Sequence, residues 1–286
     1  MCLIAFALAM RDDCPLLIAS NRDEFWDRPT RPLATWTSAS GMTIHSGRDE
    51  RAGGTWLGFN ATGRVAMLTN VRRTEMALAP LSRGELAMRW LDGPAGCPDW
   101  QTLVHQVNPG HYAGFNLVLG DQEAGSWVWL SNHQAPTNVA ASRTRLPPGW
   151  SGHELGAGVY GLSNAGLDTP WRKTLWLKSA TAQALAFDPW DRASTSALLR
   201  ALQQSLPTHE GADWQDEPAG PLAHPFVYAP ENHYGTRSSL IARHRINGSN
   251  PTLELEEWTY PPGQLPSAEA AYKRISISTW GMPTSR

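Results

Sequence analysis

Eight consecutive apolar residues, positions 3–10, follow directly on a cysteine at position 2. A run without alternation suits a strand buried on both faces, and its shortness argues against a helix. Arg11-Asp12-Asp13-Cys14 supplies a tight turn, and residues 16–20 form a second apolar run. The two runs read as a hairpin. With Asp12 and Asp13 as its loop, Cys2 falls opposite Asp23. The second run ends in Asn21-Arg22-Asp23-Glu24, a dense polar cluster that this pairing brings beside the cysteine.

The rest of the chain repeats the hairpin theme. Arg28-Pro29-Thr30-Arg31-Pro32 breaks regular structure, and residues 44–46 suit a short strand. Residues 53–59 lead from a glycine turn into a strand; Asn60-Ala61-Thr62-Gly63 turns the chain, and residues 64–69 return, ending at Asn70. Ser82-Arg83-Gly84-Glu85 has the form of a capping box opening a helix to about Leu91. Residues 99–107 read as a second helix. Residues 115–119 and 126–130 form a hairpin around Gly120-Asp121, and 131–155 read as loop or irregular strand. Residues 158–163 make a strand ending at Asn164. Thr169-Pro170 has the form of an N-cap followed by a first-turn proline, predicting a helix to about Phe187. Residues 194–205 suit a further helix, and 206–235 a long loop. Asn247-Gly248 joins strands at 237–246 and 252–259. From Pro261 the chain reads as a peripheral tail with a last strand at 274–278.

Hairpins interrupted by pairs of helices exclude the strict strand–helix alternation of a parallel sheet. The pattern predicts an α+β protein of antiparallel sheets with helices outside, forming a single domain over residues 1–286. A formal net charge of −2 argues against nucleic acid as a partner. Three widely spaced cysteines without a CxxC argue against a disulfide framework or zinc site and suit a reducing, cytoplasmic setting. The first apolar run has no cationic start, so a signal peptide is not expected. No stretch reaches the length of a membrane span. The nine histidines form no HxxxH pair, and neither a metal nor a cofactor is expected.

Residue 2 is small enough for aminopeptidases to remove Met1. The mature chain would then begin with a cysteine whose thiol is a nucleophile and whose own α-amine is a base. Asp23 is placed to hold that amine by a charge-assisted bond. Asn70 and Asn164 end apolar strands, where side-chain amides can serve an oxyanion. Arg237 can orient a carboxylate, and Asn21, Arg22 and Trp56 are candidates to contact substrate. Each has a bland alternative: a small buried cysteine at a strand start, a turn asparagine, a solvated arginine, a salt-bridged corner.

Asn21-Arg22-Asp23-Glu24 behind Met1-Cys2 resembles the NRDE, or transport and Golgi organisation 2-like, family. So do Gly53-Gly54-Thr55-Trp56-Leu57-Gly58, Leu68-Thr69-Asn70, Gly161-Leu162-Ser163-Asn164, Leu167-Asp168-Thr169-Pro170-Trp171 and Tyr234-Gly235-Thr236-Arg237. That family is similar to the N-terminal nucleophile hydrolases, particularly penicillin V acylase and bile salt hydrolase. The resemblance implies a four-layer αββα sandwich of two antiparallel sheets. It implies a cysteine amidohydrolase acting on non-peptide C–N bonds, with Cys2 as nucleophile and Asp23, Asn70, Asn164 and Arg237 around it. In those acylases an arginine stands just before the Asn-x-Asp stretch. Here that position is Ser20, and side-chain alternation along a strand gives no reason for Arg22 to replace it. The alternative function is a binding or trafficking protein for a small ligand, haem or an acyl lipid, on the same scaffold.

Overall fold

A computed structural model describes residues 2–71, 79–93, 95–133, 146–187, 192–206, 217–248, 250–267 and 270–281. The strands begin with β1 (Cys2–Leu8), β2 (Leu16–Phe25), β3 (Thr30–Thr37), β4 (Thr43–Asp49), β5 (Leu57–Asn60) and β6 (Arg64–Asn70). Helices α1 (Gly84–Leu91) and α2 (Trp100–Gln106) precede β7 (Phe115–Asp121), β8 (Ser126–Ser131), β9 (Ser151–Glu154) and β10 (Gly158–Leu162). Helices α3 (Arg172–Leu185) and α4 (Arg192–Leu202) precede β11 (Tyr228–Ala229), β12 (Tyr234–Asn247), β13 (Asn250–Thr259) and β14 (Ala271–Ser278). The described pairings of β1 to β13 are antiparallel, and the strands form two seven-stranded sheets in an α+β protein.

The chain divides into two compact units, each discontinuous in sequence. One comprises Met1–Arg28, Ala157–Ser163 and Asp168–Ile277. Its sheet runs β10-β1-β2-β12-β13-β14, with β11 paired to β12. Alternate residues of β1 and β2 (Leu3, Ala5, Ala7, Leu17, Ala19) pack with Leu177 and Ala184 of α3 and Leu198 and Leu202 of α4. All seven residues of β1 are buried, so the run lacks alternation because both its faces are covered. Gly161 lets α3 approach β10: a Cβ there would fall against Thr174 and Lys178.

The other unit comprises Pro29–Gly156, Asn164–Leu167 and Ser278–Arg286, with sheet order β3 through β9. Leu86, Trp90 and Leu91 of α1 and Leu103 of α2 pack with Leu68, Leu117, Leu119 and Val128 of the sheet. The Gly53-Gly54-Thr55-Trp56-Leu57-Gly58 motif serves this packing. A Cβ at Gly54 would meet the backbone of Gly84, where α1 begins, and one at Gly58 would meet Leu91.

Several local expectations change. The first hairpin pairs Cys2 with Arg22, not Asp23, because its loop is longer than two residues. Ala9 N–H bonds to Pro15 O at 2.8 Å, and Cys14 N–H to Arg11 O at 3.2 Å, closing a wider turn that shifts the register by one. The capping box does not form: the residue before α1 is Arg83 in helical conformation, and Glu85 pairs along the helix with Arg89 at 2.7 Å. Thr169 does not cap α3, which starts two residues after Pro170. Glu217 accepts from Arg172 N–H at 2.7 Å instead. Against the expectation of a break at residues 28–32, Thr30–Thr37 forms edge strand β3, whose register shifts between Arg31 and Ala34 where Pro32 falls. The last strand expected at 274–278 forms as β14 in the first sheet, but the tail around it is not wholly peripheral: Trp280 is buried with its Nε1–H on Asn60 O at 2.7 Å. Parts of the loops at 131–155 and 206–235 lie outside the described residues.

Candidate active site

Cys2 heads β1 and is 7% exposed. Burial pushes its thiol up, with the Asp23 and Glu24 carboxylates acting in the same direction and Arg22 against them. Arg22 is directly cross-strand from Cys2, buried, and 3.6 Å from the Glu24 carboxylate. Directly paired residues project to the same face of a sheet. The guanidinium therefore stands on the thiol's side. Residues 20 and 22 also share parity, so Arg22 occupies the face that an arginine at position 20 would. The expectation that alternation separates them is corrected on both counts.

Asp23 points the other way, to the helix-covered face with Asn21. It is 1% exposed. Its Oδ1 accepts from the Thr236 hydroxyl at 2.7 Å, while Thr236 Oγ1 accepts from Val227 N–H at 2.9 Å. Burial raises the Asp23 pKa, opposed by the charge of Lys173 and the Thr236 bond. Lys173, on the first turn of α3, is 1% exposed and donates to Leu222 O at 2.9 Å. Tyr234 is also buried here, its pKa raised well above the usual phenol value by burial and then by Asp23 and Cys2. Lys173, Tyr234 and Thr236 are the functional candidates that reading the sequence missed. The signal for Thr236 was its place in the Tyr234–Arg237 motif; an interior lysine has no signal of its own in one sequence.

The remaining candidates are placed as follows. Asn21 is fully buried; its Nδ2 donates to Leu202 O at 2.7 Å and Pro225 O at 2.8 Å, and its Oδ1 accepts from Ser239 at 2.6 Å. Ser239 in turn accepts from Tyr260 at 2.9 Å. This chain ties the interiors of β2 and β12 to Leu202 at the end of α4. Arg237 sits at the β12 bulge and donates to the carbonyls of Phe25 at 3.3 Å and Trp26 at 3.0 Å. Burial, then the charge of Arg22, lowers its pKa.

In the second unit, Asn164 is buried and its Nδ2 donates to the backbone oxygen of Asn70 at 2.8 Å, so these two meet. Asn116 is also buried, donating to Ala165 O at 2.5 Å and accepting from Trp129 Nε1–H at 3.2 Å. Trp56 lies over Gly47, where a Cβ would collide with its ring. The motif Leu167–Trp171 acts locally in the first unit through Asp168. That residue has φ +56°, bonds both to and from the backbone of Gly161 at 2.7 Å, and pairs with Lys178 at 2.6 Å.

Among the described residues no group of three or more His, Cys, Asp or Glu is placed to hold a metal ion. No described helix is long and apolar enough to cross a membrane.

The fold is that of the N-terminal nucleophile hydrolases. The C2A mutant of the conjugated bile acid hydrolase from Clostridium perfringens superposes with a TM-score of 0.52 at 8% identity, covering 96% of this chain and 92% of that one. The chain belongs to the Transport and Golgi organisation 2 family, whose profile matches residues 1–256. It is 32% identical over 262 residues to the Transport and Golgi organization protein 2 homolog of Bos taurus, covering 84% of this chain and 87% of the bovine one. To the Transport and Golgi organization 2 homolog of Mus musculus it is 29% identical over 268 residues, covering 87% of this chain and 90% of the mouse one.

Proposed function

We propose that this protein is a cysteine amidohydrolase of the N-terminal nucleophile type, acting on a non-peptide C–N bond once Met1 has been removed. The observation that carries the reading is Cys2 at the head of β1, paired with buried Arg22 and near enough to the Asp23 carboxylate to feel its charge. A thiol pushed up by burial rests neutral, which suits activation by an adjacent amine better than a standing thiolate. The α-amine of Cys2 takes the thiol proton as sulfur attacks the amide carbonyl. The same proton passes to the leaving amine when the C–N bond breaks, leaving an acyl thioester. Water then attacks the thioester, and the acid and free thiol are released. Asp23 holds the amine, and Arg22 stabilises negative charge on sulfur during attack.

Intact mass spectrometry with and without an acylating β-lactone tests this. The expected result is a mature chain lacking Met1 that gains one acyl group at neutral pH, lost in Cys2→Ser. Retention of Met1, or no adduct on folded protein, overturns the reading.

A further inference from the structure

A cleft of about 890 Å³ opens within the first unit, on the face of the sheet next to α4. None of its lining residues belongs to the Cys2 cluster. The cleft floor is the outer part of the sheet, where β12, β13 and β14 run on beyond the helix. On that floor Arg243 and Arg245 of β12 and Arg274 of β14 converge on Glu254 of β13. Arg243 is buried; Arg245 and Arg274 lie 3.8 and 3.2 Å from the carboxylate. Arg192, the first residue of α4, adds a fourth guanidinium from the wall. Among the described residues of the cluster, Glu254 and Glu256 carry the negative charges, and Glu256 accepts from the Tyr272 hydroxyl at 2.6 Å. Among these same described residues, four guanidinium groups face two carboxylates, and the amino-terminal end of the α4 dipole has the sign of the guanidinium groups.

Beside the arginines stand two rings. Trp258 and Tyr272 have centroids 5.2 Å apart at 45°, and both line the cleft. Trp258 packs against the core beneath α3 and α4 yet stays partly exposed, which leaves part of its ring open to the cleft. Guanidinium groups match phosphoryl oxygens in pairs, and an open indole offers a stacking surface. The volume lies in the range of small-molecule sites, roughly 300–1,000 Å³.

We propose that this cleft binds a phosphomonoester carried on a flat ring system, of mononucleotide size. The phosphoryl group lies among Arg192, Arg245 and Arg274, and the ring lies on Trp258. The site is independent of the amidohydrolase reading, because it neither includes Cys2 nor needs its chemistry.

Isothermal titration calorimetry at low salt with adenosine 5′-monophosphate, adenosine and inorganic phosphate tests it on the full chain. The monophosphate is expected to bind at least tenfold more tightly than either adenosine or phosphate, and to weaken as salt rises. Arg274→Gln and Arg192→Gln, both at exposed positions, should each weaken it about tenfold. Trp258→Leu should reduce the advantage over inorganic phosphate. Cys2 acylation and the melting temperature should not change in the arginine variants. The site is overturned if the monophosphate gives no heat at millimolar concentration, if adenosine binds equally well, or if both arginine variants bind as the wild type does.

Discussion

Cys2 and Arg22 face each other as a direct cross-strand pair at the open end of the β1–β2 ladder. A buried guanidinium thus stands on the side of the sheet where a sulfur anion would develop. Arg22→Met is expected to raise the thiol pKa further and slow alkylation at neutral pH about tenfold, with Arg22→Lys close to wild type. The pH dependence of iodoacetamide reaction measures it. A profile unmoved by Arg22→Met would remove the arginine from thiol chemistry.

Thr236 is the hinge of a relay, donating to Asp23 and accepting from Val227 N–H. Thr236→Val keeps the shape but leaves both partners wanting. It should cost about 1–3 kcal/mol in denaturant unfolding and push Asp23 further toward its neutral form. Thr236→Ser should retain most of the stability.

Lys173 is an interior lysine whose charge opposes the upward shift of Asp23. Lys173→Met removes one member of a buried opposite-charge pair and should destabilise the fold by about 3 kcal/mol. In Lys173→Met combined with Asp23→Asn, part of that loss should return. Strict additivity in the double-mutant cycle would show that the two charges do not interact.

His244 is 3% exposed, and burial lowers its pKa to about 4. The folded protein then binds fewer protons than the unfolded chain between pH 6.5 and about 4. Its contribution is present above pH 6.5 and lost as pH falls through that window. After allowance for solvent screening the loss is on the order of 1–2 kcal/mol. Thermal melts of wild type and His244→Phe should converge or cross between pH 7 and 4; parallel curves would deny it.

Gly120 of β7 pairs directly with Trp127 of β8, and a Cβ at Gly120 would fall inside the indole's van der Waals envelope. Gly120→Ala should cost about 1–3 kcal/mol through overpacking, read as a lower melting temperature. Gly125→Ala, in the adjoining turn, has open space but φ +62°, so any cost there comes from the backbone alone.

Much of the strand inventory was legible because local signals agree with the fold. The turns at Asn60–Gly63 and Asn247-Gly248 separate runs that do pair, and the third hairpin forms as well, but its turn is 122–125: Gly120 and Asp121 are strand residues paired with Trp127 and Ser126. Strand β3 was hidden by Pro32, which an edge strand tolerates. The first register slipped because turn length, not composition, sets it. The cluster around Cys2 was only half visible: Cys2 and Asp23 lie in one hairpin, but Thr236, Tyr234 and Lys173 reach it from elements far along the chain. Nothing local in a lysine between Arg172 and Thr174 says that it faces inward.

The neighbour of β2 in its sheet is β12, and Thr236 lies 213 residues after Asp23 in the chain. At ~5–20 residues per second, synthesis separates the two by about 10–40 s. For all that time the strand carrying Asn21–Glu24 has no partner on one edge, and the amino terminus emerges from the ribosome without the wall that later buries Cys2. Under the proposed reading, removal of Met1 falls within this period, before β12 closes over the strand, so a variant that speeds closure of β12 onto β2 should leave more chains with Met1 attached.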